Sequence, residues 1–96
     1  MKLDILTPAK TLFSGQVDSV TLPGTLGMFT VLENHAPMIS SLRRNGKITY
    51  GKGDQKTSIT IDGGFAEVLG NVVTVCVETH LTEDTNEEEK PGNPDM

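Results

Sequence analysis

Turn-forming residues interrupt this sequence so often that no segment before residue 80 sustains the i, i+3, i+4, i+7 apolar spacing, with capping residues, that an amphipathic helix needs. Most of the ten Gly and five Pro stand at these interruptions. Between them lie short runs that read as strands. Residues 3–6 end at Thr7-Pro8, residues 11–13 precede Gly15, and residues 17–22, with Asp18, Val20 and Leu22 on one side, end at Pro23-Gly24. Residues 28–32 are apolar apart from Thr30, the composition of a strand covered on both faces. Residues 48–50 and 56–61 flank a hairpin loop at residues 51–55, and in the second arm Ile59 and Ile61 alternate with Ser58, Thr60 and Asp62. Residues 65–69 and 72–78 flank Gly70-Asn71, a two-residue turn in which both residues tolerate positive φ. Val73, Val75 and Val77 point one way there, and Val72, Thr74, Cys76 and Glu78 the other. The expectation is an all-β chain: a flattened antiparallel β-sandwich of about 8–10 short strands.

A chain of 96 residues is long enough for one such domain. With no Trp and only 4% aromatic residues, its core must be built from Val, Ile, Leu and Met. The net charge of −5 is not spread along the chain. Six of the 13 acidic residues (Glu83, Asp84, Glu87, Glu88, Glu89 and Asp95) but only one of the 8 basic residues, Lys90, follow residue 81, so residues 1–81 carry seven of each and are neutral. This divides the chain into a sandwich over residues 1–81 and an acidic tail over residues 82–96. The tail is expected to be disordered, because it has no apolar surface to offset the entropy of ordering. A neutral body without a basic stripe excludes the electrostatic footprint of a nucleic-acid binder. The single Cys76 makes no internal disulfide and suits a reducing compartment. No run approaches the ~18 apolar residues of a membrane span, and Asp4 breaks the one apolar cluster near the N-terminus, so no direct membrane insertion is expected.

Candidate chemistry is sparse. Glu33 and His35 stand two apart, but His80 and Cys76 add no metal-ligand spacing, so His35 reads as a turn residue that bonds a neighbouring strand. Cys76, within an alternating Val-rich run, reads as a small core residue with an inert thiol. Gly51-Lys52-Gly53 and Gly46-Lys47 lack both the upstream Gly and the following helix of a phosphate loop. Arg43, Arg44 and Lys47 are the one basic cluster; they suit either a solvated turn or a contact for an acidic partner. Met38, Ile39 and Leu42 suit core packing or a protein-binding patch.

Five blocks in order carry a more specific signal. They are Leu3 to Pro8 with Leu12-Phe13-Ser14-Gly15; Val20-Thr21-Leu22-Pro23-Gly24; Gly27-Met28-Phe29-Thr30-Val31-Leu32 with His35-Ala36-Pro37, followed by Leu42 and Gly46; Ile61-Asp62-Gly63-Gly64-Phe65-Ala66-Glu67-Val68; and Asn71-Val72-Val73-Thr74-Val75. Over residues 2–80 this series resembles the ATP synthase epsilon subunit family. The resemblance implies a flattened β-sandwich. It also implies a non-catalytic place in the central rotor stalk of a proton-translocating ATP synthase, between the gamma subunit and the c-ring, peripheral on the cytoplasmic face of a bacterial inner membrane. It implies no active site, cofactor or metal in the chain itself. Two departures stand out: the loop Gly24-Thr25-Leu26-Gly27 lacks the acidic residue that some relatives carry toward the c-ring, and the family's usual two-helix C-terminal domain has only the acidic tail in its place. Inhibition and nucleotide binding are therefore not carried over.

By motif position, the resemblance places the partner interface on Thr25 and Leu26, on the turn Glu33, Asn34, His35, Ala36 and Pro37, and on Met38, Ser40 and Leu42 along a gamma-facing edge. Without the resemblance, the same residues also suit a free-standing β-sandwich adaptor or ligand-binding module. Exposed aromatics for sugar stacking are few, since only Tyr50 and three Phe occur.

Overall fold

The runs between turns become seven strands in the computed structural model, which describes residues 1–79. They are β1 (Lys2–Leu6), β2 (Thr11–Gln16), β3 (Ser19–Gly24), β4 (Gly27–Leu32), β5 (Met38–Lys52), β6 (Gln55–Leu69) and β7 (Val72–Val77). One continuous hydrogen-bonded ladder joins them in the order β2-β1-β7-β6-β5-β3-β4. Every pairing is antiparallel except β1 with β7, where Leu3 lies beside Val73 and Ile5 beside Val75. The boundary expected at residue 81 and the acidic tail lie outside the described residues, as does His80.

The ladder folds over on itself into two layers. Phe13 on β2 meets Tyr50 on β5 with ring centroids 4.6 Å apart and planes tilted by 47°, although β1, β7 and β6 lie between β2 and β5 in the ladder. The inner sides of both layers supply one aliphatic core. Leu3 and Ile5 of β1 and Val73, Val75 and Val77 of β7 share it with Val20, Leu22, Val31, Ile48 and Ile61 of the opposite layer, all nearly devoid of solvent contact. Strict alternation makes this work, because inward residues at period two leave the outward set free to be polar. No polar or charged side chain among the described residues is buried in it.

The strand count falls below the expected 8–10 because two apparent breaks are not turns. β5 and β6 are each 15 residues long and run through both layers. Asn45-Gly46 reads as a turn, yet the pairing with β6 only shifts register between Arg44 and Gly46 and then continues. This is a bulge, with Asn45 at φ 55. A Cβ on Gly46 would lie 2.6 Å from the Pro23 side chain, so glycine is what lets β3 pack against the bulge. On β6, Gly64 (φ 142) leaves no room for a Cβ against the Cys76 carbonyl, and there the strand bends from one layer into the other. The hairpin joining β5 to β6 is likewise tighter than expected, with Lys52 already paired to Gln55 across Gly53-Asp54. β4 also departs from its expected double cover. It is an edge strand that buries only Val31, half-buries Phe29, and leaves Met28, Thr30 and Leu32 exposed.

Candidate partner-binding face

The turn that follows β4 is held by the side chains of Asn71 and Glu33 together with the N-terminal ammonium. Asn71, in the β6–β7 turn, donates from Nδ2 to Glu33 Oε1 at 3.0 Å, and its Oδ1 accepts the Asn34 backbone N–H at 2.9 Å. The other Glu33 oxygen takes the Met1 ammonium, which also donates to the Val17 carbonyl at 3.0 Å. The ammonium's hydrogen bond, then that of Asn71, holds the Glu33 carboxyl below the usual carboxylate range. Asn34 and Asn71 both sit at φ 64, a left-handed conformation that asparagine tolerates better than most residues. The His35 N–H donates to the Leu32 carbonyl at 3.2 Å, and its Nδ1 lies 2.7 Å from the Ala36 carbonyl. His35 is thus a turn residue with local bonds, and among the described residues no bond runs from its ring to another strand.

This clamp sets the turn beside the outer face of β5, β6 and β7. Across the ladder Ile39 opposes Glu67, Phe65 opposes Ser41 and Cys76, and Leu69 opposes Val72. Ile39, Phe65, Leu69 and Val72 all point outward and are exposed, Ile39 to 74%. Pro37, Ile39 and Leu69 line a shallow hollow of about 390 Å³ on this face. Cys76 is half-buried on the outward side of β7 and lines, with Phe65 and Leu6, a second hollow of about 530 Å³. It is therefore not a residue of the inner core.

The residues singled out from the sequence fall into three groups. Glu33, Asn34, His35, Ala36 and Pro37 form the turn itself. Thr25 and Leu26 cap the β3–β4 hairpin at a separate tip. There the Thr25 N–H donates to the Ser41 carbonyl at 3.0 Å, the two hydroxyls lie 2.8 Å apart, and Leu26 is fully exposed. Met38, Ser40 and Leu42 occupy the inward side of β5: Leu42 is 4% exposed within the core, and Met38 packs against it. On that strand the side chains offered to a partner are Ile39, Ser41 and Arg43. Sequence reasoning missed Asn71 as the clamp, and of the outward row it named only Ile39, within a possible protein-binding patch. The signal for the row was present in the even-numbered burial set by Ile48 and Tyr50, extended back through the bulge.

The chain matches the ATP synthase delta/epsilon chain β-sandwich domain family over residues 1–83. The chain belongs to that family. Among its relatives, the ATP synthase epsilon chain of Geobacter metallireducens is 44% identical over 79 residues, 82% of this chain and 56% of the relative. The chain thus spans little more than half the length of that relative. The epsilon chain of Chlorobium limicola is 44% identical over 78 residues, 80% of this chain and 88% of its own length, so that relative is nearly all this domain. Two solved structures share the fold. A chain of the Euglena gracilis mitochondrial ATP synthase OSCP/F1/c-ring assembly has a TM-score of 0.72 at 24% identity, covering 78% of this chain and 48% of that one. A chain of the Tetrahymena thermophila mitochondrial ATP synthase central stalk and c-ring assembly has a TM-score of 0.68 at 14% identity, covering 91% and 76%.

Proposed function

We propose that this chain is a non-catalytic central-stalk subunit of an ATP synthase that fastens the gamma subunit to the c-ring, so that rotation driven at the membrane reaches the catalytic head without slipping. One observation carries the reading: Asn71 fixes Glu33 and Asn34 of the turn to the β6–β7 hairpin, beside the exposed apolar row of Ile39, Leu69 and Val72, on a domain of this family. Exposed large aliphatics gathered on one face are the usual mark of a protein interface. A torque-bearing part needs stiffness and two contact surfaces rather than a tuned side chain, and a close-packed core yields little under strain. The face would take gamma, and the hairpin tip at Thr25 and Leu26 would take the polar loops of the c-ring. Among the described residues no helix is long and apolar enough to cross a membrane, and no three His, Cys, Asp or Glu gather as a metal site. The chain would therefore sit peripherally, on the cytoplasmic face of a bacterial inner membrane, held through its partners.

The test is size exclusion and calorimetry of the full chain with recombinant gamma subunit. A one-to-one complex is expected. Ile39→Asp with Leu69→Asp should weaken it by about a hundredfold or more, the loss expected from removing two central anchors. If that double variant keeps its urea midpoint and still binds gamma like the parent, the assigned face is wrong.

A further inference from the structure

The described ladder ends in two strands with one neighbour each, β2 and β4. An exposed edge offers unpaired N–H and C=O groups to any extended chain, and proteins blunt it with charge, proline or a bulge. The β2 edge is bulged, since its register with β1 shifts between Ile5 and Leu6. β4 has none of these defences. It pairs with β3 in unbroken register from Gly27 to Leu32 and holds no charged residue and no proline. Its Met28, Thr30 and Leu32 side chains are exposed as well. Pro23 fixes the direction of the free backbone groups. Directly opposed residues of an antiparallel pair exchange both of their hydrogen bonds or neither. Pro23 has no N–H and stands opposite Met28, so that pair exchanges neither. By alternation the same holds for Thr21 with Thr30 and for Ser19 with Leu32. The Thr21 and Thr30 hydroxyls, 2.9 Å apart, fit the closer side chains of such a pair. Met28, Thr30 and Leu32 therefore turn their N–H and C=O groups to the open side. In keeping with this, the Leu32 carbonyl accepts the N–H of His35, in the turn beyond the strand, at 3.2 Å.

We propose that β4 pairs antiparallel with β4 of a second copy of this chain, about a twofold axis at Thr30. In that register the strand is its own complement. Thr30 meets Thr30 of the second copy, and the two exchange both backbone bonds. On either side Met28 of one copy meets Leu32 of the other, which sets aliphatic against aliphatic across the new ladder. A strand of another protein would have to match this pattern, whereas a second copy supplies it by symmetry. Two six-residue edges cover less than the ~1,200 Å² of a specific, stable interface. The dimer is therefore weak, with a dissociation constant of about 10–100 μM. The same register carries Leu26 of one copy beside Asn34 of the other, so the dimer covers both the hairpin tip and the turn assigned above to partners. Dimer and stalk-bound subunit exclude each other on that reading, but the pairing itself does not rest on it.

Sedimentation equilibrium of the full chain from about 10 μM to about 1 mM, a range that brackets this constant, tests it. The mass should rise from monomer toward dimer. Thr30→Pro should abolish the rise and keep the urea midpoint, because an edge strand accepts proline where the N–H faces solvent. Met28→Lys and Leu32→Glu should each weaken the dimer about tenfold. Together they should restore it to within about threefold of the parent, since each new cation then faces a new carboxylate across the axis. Within one chain the two positions are about 13 Å apart along the strand, too far to pair with each other. Ile39→Asp with Leu69→Asp should leave the dimer unchanged. A chain that stays monomeric to about 1 mM would overturn the proposal and leave the edge to an extended segment of another protein. So would a dimer that survives Thr30→Pro, that the paired charge variant fails to restore, or that the Ile39 and Leu69 variant abolishes. No arm of the test involves gamma or the c-ring, so its failure is separate from failure of the stalk assignment.

Discussion

The two layers of this sandwich share one core and one alternation, yet their outer faces differ in chemistry. On the layer made by β4, β3 and the later half of β5 with the first half of β6, the ladder sets Thr30, Thr21, Thr49 and Ser58 in one row. Their hydroxyls pair within the row, Thr21 with Thr30 at 2.9 Å and Thr49 with Ser58 at 3.0 Å. The exposed aliphatics of this layer, Leu26, Met28 and Leu32, are confined to its edge strand and the hairpin turn that leads into it. The other layer carries Ile39, Phe65, Leu69 and Val72 across three adjacent strands, beside a turn fixed by a buried ammonium and an asparagine. A hydroxyl row that bonds to itself and to water loses nothing by staying wet. An aliphatic row gains about 25 cal/mol for each Å² that a partner covers. The contrast assigns the two faces different fates from the same fold: one solvated, one bound.

That contrast presumes that the layers stand or fall together, and the largest expected effect tests the presumption. Leu3 in one layer and Leu22 in the other are both wholly buried. Each change to Ala removes most of a side chain from a filled core and should cost about 2–5 kcal/mol in urea unfolding. Both variants should lose stability in one transition with an unchanged urea slope. Two separable transitions in either variant would mean that the faces belong to semi-independent halves.

A smaller effect should come from the clamp that joins the turn to the apolar face. Asn71→Ala removes the bonds to Glu33 and Asn34, and the exposed site should lose about 0.5–1.5 kcal/mol. The Asn34 amide should exchange faster with solvent, while amides in β3 keep their protection. The same variant should change the response to acid. A Glu33 carboxyl held below its ordinary value of 4.5 stabilises the fold fully above that pH, and the contribution is lost as pH falls through the lower folded value. Without Asn71 the carboxyl should titrate closer to 4.5, so less of the acid-side fall in stability belongs to Glu33. If Glu33 titrates as before in the variant, the clamp is held by the Met1 ammonium alone.

Much of this arrangement can be read from the residues, and the exceptions share a cause. Gly70-Asn71 and Thr7-Pro8 mark true ends because strand pairing reverses or stops there. Asn45-Gly46 and Gly63-Gly64 carry the same local signal but serve as a bulge and a bend inside long strands. Only the partners across the ladder distinguish the two uses. Residues 28–32 show a second limit. An apolar strand reads as covered on both faces, and nothing local tells coverage by the core from exposure at an edge. The turn Glu33–Pro37 was legible through its family motif. Met38, Ser40 and Leu42 lie on the inward side of β5 and Ile39, Ser41 and Arg43 on the outward side, a parity that an apparent turn at Asn45 hides by interrupting the continuity with Ile48 and Tyr50. Asn71 was read correctly as a turn residue, but its bonds span 37 and 38 positions and leave no trace in spacing.

The smallest expected effect sharpens the comparison from the hydroxylated side. Thr21→Val keeps the shape and β-branched character of the side chain and deletes the bond to Thr30. Because that face is open to water, the orphaned Thr30 hydroxyl is solvated rather than stranded, and stability should stay within about 0.5 kcal/mol of the parent. Affinity for gamma should not change, since the substituted position lies on the opposite outer face from Ile39 and Leu69. Calorimetry against gamma, run beside the Ile39 and Leu69 variant, makes the difference direct: a large loss on one face and none on the other. A comparable loss from Thr21→Val would show that the hydroxyl row is itself covered in the complex, and would reverse which layer carries the binding surface.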